Sequence, residues 1–181
     1  MVKCGREDKE MGWFEMKRQK NTLILMFIMI SLLLAACNQT SKDISNYLQT
    51  GTILDEEVTN FMPTLDALSK YENIDYRHTR KKMFIFEANS VLLNVQYDDE
   101  TYKKEKELIA KPDVSADDTF SINSYTFWLA ETNGYPKSFG IIGTSDEKKS
   151  IAYLYFVDYD LDTISTSMKT FVKDYFKYDF K

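Results

Sequence analysis

Histidine, proline, glycine and cysteine are scarce in this chain: one, three, six and two residues among 181. The cysteines are Cys4 and Cys37, and none follows Cys37. The chain beyond that point therefore has no disulfide, no thiol nucleophile and no cysteine metal ligand, so its core must hold by apolar packing alone. His78 is the only histidine, so a Ser-His-Asp triad or an ordinary zinc site would have to use it. So few glycines and prolines argue against disorder. A glycine-rich phosphate loop and a G-x-S-x-G elbow are both missing, which removes two common catalytic frames.

The most informative segment lies near the N-terminus. Met16-Lys-Arg-Gln-Lys20 is basic, and an uncharged run of 14 residues follows from Leu23 to Ala36. Crossing the hydrocarbon core takes about 20 apolar residues. The run is too short for a permanent span and suits a signal peptide. Its last residues with the next, Leu34-Ala35-Ala36-Cys37, resemble the lipobox of bacterial lipoproteins at all four positions. The resemblance covers Met16 to Cys37. It implies cleavage before Cys37, a diacylglyceryl group on that thiol with palmitate among its acyl chains, and display on the extracytoplasmic face of the cell membrane. An ordinary signal peptide or a signal anchor is the alternative.

Residues 1–15 carry Glu7, Asp8, Glu10 and Glu15, unusual ahead of a basic n-region, and Met16 is the expected start of translation. Lys-, Asn- and Ile-rich usage points to an AT-rich genome and a Gram-positive membrane. In a Gram-negative host the lack of Asp after Cys37 would direct the protein to the outer membrane.

From Cys37 the chain holds 17 basic and 24 acidic residues, a formal charge of −7. That balance argues against nucleic acid, which needs a basic face. All twelve tyrosines, ten phenylalanines and Trp128 lie here, ample material for a core. Residues 37–52 are polar and read as the lipidated cysteine and a tether, with Tyr47 and Leu48 able to dock. Residues 53–181 read as one globular domain.

Within it, Val58, Phe61, Met62, Leu65 and Leu68 mark one helical face, which Pro63 must kink or restart. Strands are expected around Ile74–Tyr76, at Met83–Glu87 and at Val91–Tyr97. Asp98 or Asp99 can cap a helix running to about Ala110. Strands are expected again at Thr119–Glu131, Ser138–Gly143 and Ser150–Tyr159, the last apolar enough for a central position. Asp162 can cap a final helix with Ile164, Met168, Phe171, Val172 and Tyr175 on one face. The expectation is an α+β single domain, order α-βββ-α-βββ-α, a mainly antiparallel sheet with helices on one side.

Four groups are candidates for chemistry. Arg77-His-Thr-Arg80-Lys81-Lys82 reads as a solvated turn between two strands, or as a basic patch for anionic lipid headgroups or wall polymers. Asp158, Asp160 and Asp162 resemble the opening of a calcium loop, but Thr163 stands where glycine belongs and Lys169 where the bidentate glutamate belongs. Tyr125, Phe127, Trp128 and Tyr135 could form an aromatic platform for a ligand, or be core. Glu105 and Glu107 lie on the charged helix, whereas an acid–base pair would need a shared cleft. No cofactor and no catalytic residue is assigned. The functional expectation is a non-catalytic binding domain held at the membrane by its lipid, with an envelope protein or wall polymer as partner. The alternative is a small cell-envelope hydrolase using carboxylates.

Overall fold

The computed structural model describes residues 37–48, 57–83, 86–109, 119–132, 135, 137–158 and 166–181. They form an α+β domain with a seven-stranded, wholly antiparallel sheet and three helices. The elements are β1 (Cys37–Ser41), α1 (Glu57–Phe61), β2 (Asn73–Met83), β3 (Phe86–Gln96), α2 (Asp99–Leu108), β4 (Thr119–Ile122), β5 (Tyr125–Glu131), β6 (Ser138–Ser145), β7 (Ser150–Asp158) and α3 (Met168–Phe176). The strand order is β1-β2-β3-β7-β6-β5-β4. Two antiparallel meanders thus meet where β3 pairs β7.

The observed order departs from the expected one. The first trio of strands is a single long hairpin, with Met83 opposite Phe86, so Met83–Glu87 is not a strand of its own but the two ends that flank the turn. Thr119–Glu131 is two strands, because Asn123 takes a left-handed φ of 51° and turns the chain at Asn123-Ser124. The polar segment expected as a tether begins as a strand: Cys37–Ser41 pairs with the outer edge of β2, Cys37 opposite Lys82 and Ser41 opposite His78. An edge strand needs backbone partners more than apolar side chains, so hydropathy does not reveal it.

Alternation along β3 and β7 sends side chains to two faces, and both faces are buried. One carries Leu92, Phe139, Ile141, Leu154 and Phe156 and is covered by Phe171, Val172 and Phe176 of α3. The other carries Val91, Leu93, Val95, Tyr153 and Tyr155 and is covered by Tyr47, Val58, Met62 and Tyr102. Helices therefore pack on both sides, not one. The unbroken apolar run of β7 is explained by this burial.

Local chemistry sets the helix ends. Helix α1 stops before Pro63, and a 3-10 turn follows at Leu65–Ala67. Asp98 caps α2, its Oδ1 accepting from Thr101 N at 2.8 Å. The last helix begins at Met168 and is capped by Ser167, which accepts from Thr170 N, not by Asp162 as expected; Asp162 itself lies outside the described residues.

Candidate functional site

Of the four groups singled out, the aromatic platform is dispersed by burial. Trp128 and Tyr125 are each 2 % exposed and belong to the core. Tyr125 donates from its hydroxyl to Asn94 Oδ1 at 3.2 Å and packs on Phe127 and Phe180. Phe127 is fully buried, and only Tyr135 remains open, at 46 % exposure against Phe139. Alternation splits Tyr125 and Phe127 from Trp128, and both faces of β5 are covered.

Asp158 ends β7 and its N–H donates to the Lys137 carbonyl at 2.7 Å; Asp160 and Asp162 lie outside the described residues. Among the described residues no three histidine, cysteine or acidic side chains group around a common metal position. Glu105 accepts from Ser69 Oγ at 2.5 Å, while Glu107, two residues on, is exposed on another part of the helix.

The basic segment is where the structure departs most from a solvated turn. Residues 77–82 lie inside β2, paired to β3 on one side, and 78–82 to β1 on the other. Alternation divides the four cations between the faces. On the face covered by α3, the Arg77 guanidinium sits 5.2 Å above the Tyr178 ring and Lys81 Nζ 4.9 Å above the Tyr175 ring. On the other face, Arg80 grips Glu87 through two hydrogen bonds of 2.7 and 2.8 Å. Lys82, opposite Glu87 across the hairpin, is exposed.

That second face carries a polar ladder. Asn89 donates from Nδ2 to Glu87 Oε1 at 3.2 Å. Its Oδ1 is thereby left facing His78, whose Nε2 stands 3.1 Å away and donates to it. Burial lowers the imidazole pKa below its ordinary 6.5, outweighing the hydrogen bond to Asn89 that raises it. The Arg80 hydrogen bond holds the Glu87 carboxyl below its ordinary value, against a smaller opposing effect of burial. His78 is thus a neutral donor built into the sheet, its Nε2 engaged by an amide. Glu87 and Asn89 were not legible as partners in advance; their spacing on one face of β3 was the available signal.

Behind Lys81, a cavity of about 40 Å³ is lined by Thr79, Lys81, Ser90, Asp174, Tyr175 and Lys177. One water takes roughly 10–15 Å³ on such a measure, so this space suits solvent and no larger ligand. Ser90 Oγ donates to the Tyr175 carbonyl at 2.8 Å and ties α3 to β3 there.

What the geometry assembles is an end of the sheet. The antiparallel β1–β2 ladder brings Cys37 level with Lys82, Asn38 level with Lys81 and Gln39 level with Arg80. Arg80 is neutralised by Glu87, which leaves the two lysines as the cations of this corner. Comparison with protein families, with curated proteins and with solved structures finds no match. No helix among the described residues is long and apolar enough to cross a membrane.

Proposed function

We propose that this chain is a bacterial lipoprotein: residues 16–36 direct export, Cys37 carries the diacylglyceryl group, and the α+β domain is a non-catalytic binding module on the extracytoplasmic face of the cell membrane. The observation that carries the reading is Leu34-Ala35-Ala36-Cys37 closing a 14-residue uncharged run. A short apolar run behind Lys17, Arg18 and Lys20 is an export signal. The cysteine placed directly after it is the acyl acceptor. The fold is compatible with this, because the first residue after the cleavage point opens the first strand. The binding role draws support from the engagement of the one histidine as a donor to Asn89 and from structural use of two carboxylates, Asp98 capping α2 and Glu105 bracing it against Ser69.

The test is mass spectrometry of the N-terminal peptide of the membrane-extracted protein, followed by in-cell cross-linking. A diacylglyceryl-modified Cys37 establishes the lipoprotein, and an unmodified Cys37 removes it. One envelope protein enriched with the anchored form, and lost with Cys37→Ala, establishes the binding module. Turnover of a wall polymer by the purified protein, abolished by substitution of a carboxylate, would replace it with the hydrolase reading.

A further inference from the structure

We infer that the end of the sheet where β1 begins lies flat on the anionic headgroups of the bilayer that holds Cys37, with Lys81 and Lys82 as the headgroup contacts. The inference rests on acylation of Cys37 and adds to it a fixed face and a partner, the phospholipid surface.

The first reason is the absence of slack. Cys37 is itself paired opposite Lys82, and Asn38 opposite Lys81. Residues facing each other across an antiparallel ladder are about 4.5–5.5 Å apart at Cα. The headgroup layer is roughly 5–8 Å deep on each side of the hydrocarbon core. An acyl chain entering the bilayer from Cys37 therefore brings the backbone of Lys82 to headgroup depth.

The second reason is the distribution of charge along the strands. Antiparallel pairing delivers the C-terminal end of β2, with Arg80, Lys81 and Lys82, to the N-terminal end of β1. Arg80 is committed to Glu87, Lys82 is exposed, and Lys81 is half-buried over the Tyr175 ring, with Asp174 lining the space behind it. The opposite end of the same hairpin carries Glu72 and Asp75, and β3 leads there into Asp98, while Asp99 and Glu100 beyond it are paired with Lys103, Lys149 and Lys104. An anionic leaflet attracts the first end and repels the second. This orients a domain whose overall charge is negative.

Sheet twist confines the contact. Neighbouring strands rotate by about 20–25°, so β6, β5 and β4 turn progressively away from the direction of β1. The bilayer meets β1, β2 and β3, with Asp158 at the end of β7, level with Ala88, at the margin of the contact, and the far end of β2 at Asn73 stands about 30 Å above it, at about 3.3 Å per residue.

The experiment uses full-length protein, processed and lipidated in a bacterial host, in vesicles of phosphatidylglycerol and phosphatidylcholine that contain a headgroup-nitroxide lipid as quencher. Acylation blocks the Cys37 thiol, so a fluorophore can be placed singly through Gln39→Cys or Asn73→Cys, both exposed positions. Quenching several-fold greater at 39 than at 73 is expected. In Lys81→Gln/Lys82→Gln the preference for this orientation falls roughly 30-fold, about fivefold per lysine, and the two labels converge. Lys81→Arg/Lys82→Arg keeps the charge and keeps the contrast. Acylated protein with equal quenching at both labels overturns the orientation and leaves the anchor standing. A contrast that survives the glutamine pair, or that is lost with the arginine pair, overturns the headgroup contact by charge. Protein whose Cys37 is unacylated overturns the lipoprotein reading and this inference with it.

Discussion

The ring of Phe127 lies over Gly143 across the β5–β6 ladder, and its Cε1 and Cδ1 fill the space a β-carbon at 143 would need. Phe127 cannot retreat, because it is also held by Phe120, Tyr125 and Phe180 at centroid distances of 5.2, 5.8 and 4.9 Å. Gly143→Ala should therefore cost about 1–3 kcal/mol, the range for overpacking a filled core. Urea unfolding would read this as a lower midpoint with an unchanged slope. A neutral result would show that the ring has room to move.

Anchoring and folding should separate. Cys37 contributes a backbone register to β1, which alanine supplies equally well. Cys37→Ala is expected to shift stability by no more than about 0.5 kcal/mol, while the protein loses its acyl group and is released or mislocalised. Fractionation and a thermal melt of the same preparation check both halves. A large drop in Tm would tie the cysteine itself to folding.

The segment after β1 is pinned by Tyr47, which is buried against Tyr76 at 5.5 Å and donates its hydroxyl to the Pro63 carbonyl at 2.7 Å. Tyr47→Phe keeps the ring and deletes the hydrogen bond, for a loss of about 1 kcal/mol. Faster hydrogen exchange at residues 44–48, with the centre of the sheet unchanged, would show that the loss is local.

Stability should fall in mild acid because of His78. The unfolded imidazole titrates near its ordinary value of 6.5, and burial lowers the folded one. Just below 6.5 the unfolded chain binds more protons than the native state, so stability falls as pH drops through that window and is fully present above it. Glu87 and its ordinary value of 4.5 belong to a lower window. A melt series from pH 7.5 to 5.5 isolates the histidine. Wild type should lose more Tm over that interval than His78→Gln, whose amide can still donate to Asn89. An equal or smaller loss in wild type reverses the assigned sign.

Several elements were readable from local pattern. The run Ile151–Val157 announced a strand buried on both sides, and β7 is that strand, at the centre of the sheet. Asp98 or Asp99 marked the start of α2, and Asp98 is its cap; Pro63 marked a kink or restart in one helical face, and that face is instead a short helix ending at Phe61 and a separate 3-10 turn. In each case the deciding physics acts within a few residues: a side-chain oxygen on a free N–H, a missing donor, a continuous apolar surface. β1 was not readable, because Asn38-Gln39-Thr40-Ser41 has no apolar face and becomes a strand only through the free edge of β2. The basic hexapeptide is strand rather than turn for a related reason, its pairing with β1 and β3. Once it is strand, alternation sends Arg77 and Lys81 to one face and Arg80 and Lys82 to the other.

The order of residues by itself determined the apolar supply of the core, the lack of thiols beyond Cys37 and the cap of α2 at Asp98, since each depends on composition or on side chains near one another in the chain. Tertiary structure alone decided that Trp128 and Tyr125 are core rather than surface, that Arg80 is consumed by Glu87, and that Cys37 lies level with Lys82. Those outcomes depend on which strand edges pair and which faces are covered, and backbone pairing between distant segments leaves little trace in the side chains of either.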